Sequence, residues 1–158
     1  INLLTSTERS RALQGRIMAQ MLRDVGFEVN VSTLDLGAML HRLSKGDFEL
    51  ALLQMPELTE PNVLRWFFHS DSIPGQGRAG ANRARFSDST VDSLFDRAAV
   101  LTDIEERWAL YSRALCRMNE QLPVIPLFHE DQIALVSQRA AAFSLSAEGR
   151  WLDVAFLP

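Results

Sequence analysis

With 158 residues, 47% of them hydrophobic, the chain has the size and apolar content of a single domain with a real core. A formal net charge of −4 and a pI near 5.4 leave no basic field of the kind a phosphate backbone requires, which excludes nucleic acid as an expected partner. No apolar run approaches the roughly 18 residues a spanning helix needs, and the single cysteine, Cys116, has no partner for an intrachain disulfide.

Residues 1–4 read as a short apolar strand, and the start on Ile1 rather than Met points to a piece of a longer protein, so a missing signal peptide carries no information. Thr5-x-x-Glu8 fits a capping box, Leu13, Ile17, Met21, Leu22 and Val25 follow at helical spacing, and Gly26 supplies a left-handed stop. Phe27, Val29 and Val31 then alternate with polar residues, as in a half-buried strand. The rhythm repeats: Leu36, Met39, Leu40 and Leu43 form a second helical stripe ending at Gly46. Residues 48–55 form a nearly continuous apolar run, expected to be a strand buried on both faces. Two successive βαβ steps imply a parallel sheet and an α/β core, because parallel neighbours need a helical crossover.

Pro61 suits the first turn of a third helix, with Val63, Leu64, Phe67 and Phe68 as its buried side. Over residues 70–88 the periodicity disappears and Gly75, Gly77 and Gly80 crowd together, predicting a long flexible surface loop. Asp88 or Ser89 caps a helix bearing Val91, Leu94, Phe95, Ala98 and Leu101. Thr102-x-x-Glu105 caps a long one expected to turn Trp108, Tyr111, Leu115, Met118 and Leu122 inward. Residues 124–128, 133–137 and 151–157 read as three β segments.

Few motifs carry chemistry. Gly75, Gly77 and Gly80 match the letters of the dinucleotide fingerprint, but the strand before it and the helix N-terminus after it that the phosphate contact needs are both missing, which favours a plain loop. His41, His69 and His129 are too scattered to build a zinc site, and Cys116 lacks an orienting partner, so neither a metal, a cofactor nor a catalytic constellation is expected. Glu57 and Glu60 follow the third apolar strand. A carboxylate at a strand's carboxyl end can face a ligand cation, whereas Glu60 or Thr59 can equally cap the third helix. Arg78, Arg83 and Arg85 read either as solvated loop charges or as a cluster able to grip a carboxylate.

Leu22 to Val31, Gly46 to Glu49, Glu60 to Ser70 and Gly80 to Phe86, taken in that order, resemble segments of the second lobe of the dipeptide, oligopeptide and nickel-type extracytoplasmic solute-binding proteins, family 5, that feed ABC importers. Leu22-Arg-Asp-Val-Gly26 leading into Phe27-Glu-Val-Asn-Val31 is similar to the family's "L-x-x-x-G-hydrophobic-x-V-x-hydrophobic" entry. Gly46-Asp-Phe48-Glu resembles its "G-x-[FY]-D" strand start. Glu60-Pro61 through Ser70 resembles "D-P-x-x-x-L-x-x-x-F-x-S" with glutamate for aspartate, and Gly80-Ala-Asn82-Arg-Ala-Arg85-Phe86 resembles "G-x-N-x-x-[RG]-[YF]". The resemblance implies one lobe of a periplasmic-binding-protein-like (type II) fold, a mixed sheet flanked by helices. It implies a non-catalytic protein that captures a peptide-like or other amine-bearing solute between two lobes and delivers it to a membrane permease from the periplasmic side.

Peptide-binding members carry a tryptophan and then an aspartate ahead of the proline, the aspartate pairing with the ligand's amino terminus. This stretch is one residue shorter. Counting back from Pro61 puts Gln54 and Glu57 at those places; counting forward from Phe48 puts Met55 and Leu58 there. The expected ligand wall is therefore Gln54, Met55, Glu57, Asn82 and Arg85, with Glu57 as charge anchor and Asn82 as amide donor. A sensing domain of a transcription regulator built on the same fold is the alternative, and an isolated lobe is expected to expose apolar surface and to dimerise.

Overall fold

The computed structural model describes residues 1–55, 60–75, 79–129, 131, 133–140 and 143. Residue contacts divide the chain into two compact units, Ile1–Pro123 and Val124–Pro158. The first holds β1 (Asn2–Ser6), α1 (Arg9–Asp24), β2 (Asn30–Leu34), α2 (Leu36–Lys45), β3 (Leu50–Ala51), α3 (Val63–Phe68), a 3₁₀ turn at Ser70–Ser72, α4 (Ser89–Val100) and α5 (Ile104–Gln121).

The strands form a parallel sheet of order β2-β1-β3, with Leu3 opposite both Val31 and Leu50. That order makes β1 the strand covered on both faces, and Leu3, Leu4, Thr5 and Ser6 are all buried. The 48–55 run, expected in that place, contributes only a two-residue edge strand whose side chains are half-buried. Successive residues on a strand point to opposite faces. Leu3 packs with Ala19 and Val29 beneath α1, and Leu4 packs with Met39 and Leu43 beneath α2. The two crossover helices thus lie on opposite sides of the sheet.

Helix α1 starts later than the Thr5 box predicts. Thr5 stays in β1 and donates its hydroxyl to the Arg11 carbonyl at 3.0 Å, while Glu8 is the cap, its carboxylate accepting from the amides of Ser10 and Arg11, each at 2.9 Å. The helix also presents a different face. Gly15 and Ala19 are buried, whereas Leu13, Ile17, Met21 and Val25 stand out in solvent. The reason is close approach: a Cβ on Gly15 would lie 3.1 Å from the Thr5 methyl, so only the smallest residues fit between α1 and β1. Gly26 ends the turn at φ +96°, as expected. Phe27 remains half exposed because β2 begins only at Asn30.

A second core joins α3, α4 and α5 through Leu64, Phe68, Phe86, Phe95, Tyr111 and Met118, among others. Asp88 caps α4, and α5 is capped by Asp103 rather than Thr102, its carboxylate accepting from the Glu106 amide at 2.9 Å. Leu110, Tyr111, Ala114 and Met118 form the buried stripe of α5. Trp108, Leu115 and Leu122, expected inward, are exposed because α5 rests on α4 through a narrow stripe.

In the second unit, residues 124–129 and 133–137 form no strand. Ile133 and Leu135 are 82% and 99% exposed, and no described segment pairs with them to satisfy a ladder. Its regular structure among the described residues is a 3₁₀ turn at Gln138–Ala140. The expected segment 151–157 lies outside the described residues.

Candidate functional site

In an open parallel sheet, ligands meet the protein beyond the carboxyl ends of the strands, where neighbouring connections leave toward opposite faces. Here α1 leaves β1 toward one face and α2 leaves β2 toward the other. The crevice between their first turns is lined by Ser6, Thr7, Glu8, Arg11 and Leu36. The third strand reaches it through a side-chain bridge: Arg11 Nη2 donates to Gln54 Oε1 at 3.2 Å. Ser6 is 3% exposed, and its hydroxyl has no hydrogen-bond partner among the described residues. A buried hydroxyl without a partner is costly, and this one belongs to the crevice lining.

The charges are fixed by local geometry. The Ser10 hydroxyl, donating to Glu8 Oε2 at 2.6 Å, leads a set of contacts that includes the Ser10 and Arg11 amides and the Arg11 charge; together they lower the Glu8 carboxyl from 4.5 to about 2. Glu8 is therefore an anion across the physiological range. Arg11 Nε lies 3.6 Å from it. The crevice offers a guanidinium, a carboxylate and hydroxyls, which are both donors and acceptors.

Of the five residues expected at a ligand wall, four are described, and of those four the structure brings Gln54 to this crevice. Met55 follows it but is half-buried against the α3–α4–α5 core. Glu57 lies outside the described residues. Arg85 is at the other end of the sheet: its Nη2 donates to the Ser44 carbonyl at 3.0 Å, in the last turn of α2, beside the amino ends of the strands. A right-handed crossover returns the chain to that end before each new strand, so Arg85 and Gln54 are separated by the length of the strands.

Asn82, expected to offer its amide to a solute, offers it to its own loop. It is fully buried; Nδ2 donates to the carbonyls of His69 at 3.0 Å and Phe86 at 2.8 Å, and Oδ1 accepts from the Phe86 amide at 3.0 Å. His69 is the loop's second anchor. Its Nδ1 accepts from the Asp71 amide at 3.0 Å, and its Nε2 lies 3.4 Å from Asp96 Oδ1. Burial pushes the Asp96 carboxyl up, but the bond and charge of Arg65, with His69 adding, hold it below the usual range. Gly80 serves the same packing: a Cβ there would fall 1.9 Å from the Ser72 carbonyl oxygen. The glycine is required by this backbone approach, which is a different reason from a phosphate cradle.

Glu60 takes the capping role weighed for it: its carboxylate accepts from the Asn62 amide at 2.7 Å ahead of α3 and also pairs with Arg107 on α5. Among the described residues, no group of three or more His, Cys, Asp or Glu side chains is arranged for a metal ion, and no helix is long and apolar enough to cross a membrane. Sequence reasoning missed Ser6, Thr7, Glu8 and Arg11. The polar run from the last residues of β1 into the first turn of α1 was the available signal, and the helix-capping interpretation absorbed it.

No family model matches the chain. Among curated proteins it is 25% identical over 141 residues to probable di/tripeptide-binding protein 5 of Pseudomonas aeruginosa, covering 88% of this chain and 26% of that protein. It is 28% identical over 117 residues to di/tripeptide-binding protein 4 of the same organism, covering 73% of this chain and 21% of that one. Among solved structures, a peptide-binding protein of a peptide ABC transporter superposes with a TM-score of 0.69 at 25% identity, covering 81% of this chain and 56% of that one. A dipeptide-binding protein from Pseudoalteromonas sp. SM9913 in complex with Met-Leu gives the same TM-score of 0.69 at 20% identity, covering 78% of this chain and 25% of that one. The chain spans about a quarter of the length of the curated relatives it matches. It is thus related in sequence to di/tripeptide-binding proteins and has the periplasmic-binding-protein-like α/β fold, as the resemblance implied.

Proposed function

We propose that this relative of the di/tripeptide-binding proteins is one ligand-binding lobe of an ABC-importer solute-binding protein. It captures a peptide-like or other amine-bearing solute against a second lobe without chemical change. The observation that carries this reading is the crevice at the strand carboxyl ends, where the unpartnered Ser6 hydroxyl and the Arg11–Gln54 bridge meet. A peptide presents N–H donors, C=O acceptors and two charged ends; a site with a guanidinium, a carboxylate and hydroxyls answers all of them. Glu57, three residues beyond Gln54, remains the sequence-level candidate to pair with an amino group.

In this reading the whole protein works outside the cytoplasm and hands its cargo to a membrane permease. Native mass spectrometry of the full-length protein, followed by calorimetry with di- and tripeptides, tests it. A retained small solute, displaced intact and rebound with one-to-one stoichiometry, is the expected result. Chemical conversion of the solute, or failure of every peptide and amine to bind, would remove the proposal.

A further inference from the structure

The outer flank of α1 carries a feature that solute capture does not use. Leu13, Ile17, Met21 and Val25 recur every fourth residue, forming a continuous ridge, and are 51%, 52%, 64% and 71% exposed. Phe27, just past the end of the helix, is half exposed as well. Beside it runs a second row at the same spacing: Arg16, Gln20 and Asp24. This row is positive toward the N-terminus, neutral in the middle and negative toward the C-terminus. Arg16 makes no hydrogen bond or ion pair with the described residues, and Asp24 accepts a single bond, from Gln20 Nε2 at 2.8 Å.

We infer that this face of α1 is a self-association surface whose occupant is α1 of a second copy of the chain, packed antiparallel about a two-fold axis near Ile17, Gln20 and Met21. Three facts select a second copy. A row at every fourth residue is the ridge that interlocks with its own kind at about −50°, the commonest helix packing in globular proteins. A two-fold interface must be self-complementary, residue i meeting j while j meets i. The Arg16-Gln20-Asp24 row meets that condition only when antiparallel, because Arg16 then faces Asp24 of the other copy twice over. A parallel pairing would set like charges together. The inference stands apart from the solute reading, since the crevice and this flank share no residue.

Sedimentation of the whole chain over a range of concentrations tests it. A reversible monomer–dimer equilibrium is expected. Ile17→Glu, at a position already half exposed, should raise the dimer dissociation constant by about tenfold or more. Arg16→Asp and Asp24→Arg should each weaken association, and the double variant should restore it, which general stickiness would not do. In a Cys116→Ser background, Met21→Cys should give an oxidised disulfide dimer, a readout independent of the charge variants. A chain monomeric at every concentration overturns the proposal, as does association indifferent to Ile17→Glu or a charge swap without rescue. A longer polypeptide that buries α1 against its own remaining residues would appear as a monomer and overturn it too.

Discussion

Asn82 and Phe86 are joined by a reciprocal pair of hydrogen bonds, the side-chain oxygen of one accepting from the amide of the other at 3.0 Å and the side-chain nitrogen donating back to its carbonyl at 2.8 Å. Both residues are buried. This small ring converts an irregular stretch into a fixed surface against which α4 and α5 pack. Asn82→Ala should therefore leave the Phe86 amide without its partner and destabilise the chain by about 2–4 kcal/mol. The check is the urea midpoint at unchanged slope. A loss below about 1 kcal/mol would show that water replaces the amide freely.

Gly80→Ala should cost about 2 kcal/mol or more, because the new methyl meets a backbone carbonyl at 1.9 Å instead of a side chain that can turn away. Thermal unfolding measures it. Wild-type stability for this variant would mean that the backbone at Ser72 and Gly80 can move apart at no cost.

Acid should loosen the start of α1. The Glu8 carboxyl is lowered from 4.5 to about 2 in the folded chain, so the stability it contributes is present above the unfolded value and is lost as pH falls toward about 2. The amide resonances of Ser10 and Arg11 should shift with a midpoint near 2, and Glu8→Gln should abolish that transition. A midpoint at the ordinary carboxylate value would show that the cap does not form.

Solute binding should depend on Arg11. In the full-length protein, Arg11→Ala should weaken the natural solute by about tenfold or more, since a hydrogen bond from a charged donor is worth roughly 1.5–3 kcal/mol. Gln54→Ala should have a smaller effect, and Arg85→Ala none, because Arg85 lies at the amino ends of the strands. Calorimetric titration separates these cases; equal losses at Arg11 and Arg85 would relocate the site.

The two faces of α5 should respond unequally. Tyr111→Ala removes a ring packed 6.1 Å from that of Phe95 in the helical core and should cost about 3–5 kcal/mol. Trp108→Ala, on the exposed face, should cost less than about 1 kcal/mol. Chemical denaturation of the two variants side by side decides which stripe of α5 is buried.

Much of the architecture is legible in the residues alone. The βαβ rhythm, the stops at Gly26 and Gly46, the cap at Asp88 and the parallel sheet follow from periods and turn chemistry, which are local properties. Apolar periodicity shows that a helix has a side to hide, but α1 and α5 have more apolar residues than their neighbours cover. Which row is buried depends on how closely the packing partner approaches. Gly15 and Ala19 win on α1 because β1 lies against them.

The site divides along the same line. Sequence by itself determined that the chain is an acidic α/β domain resembling a solute-binding lobe, since composition, pattern and order are written along the chain. Only the tertiary structure decided that Arg11 meets Gln54, that Arg85 is at the opposite end and that Asn82 faces inward. Hydrogen-bond partners 43 and 41 residues apart are chosen by strand order and crossover direction, and no local pattern records which donor a buried amide will find.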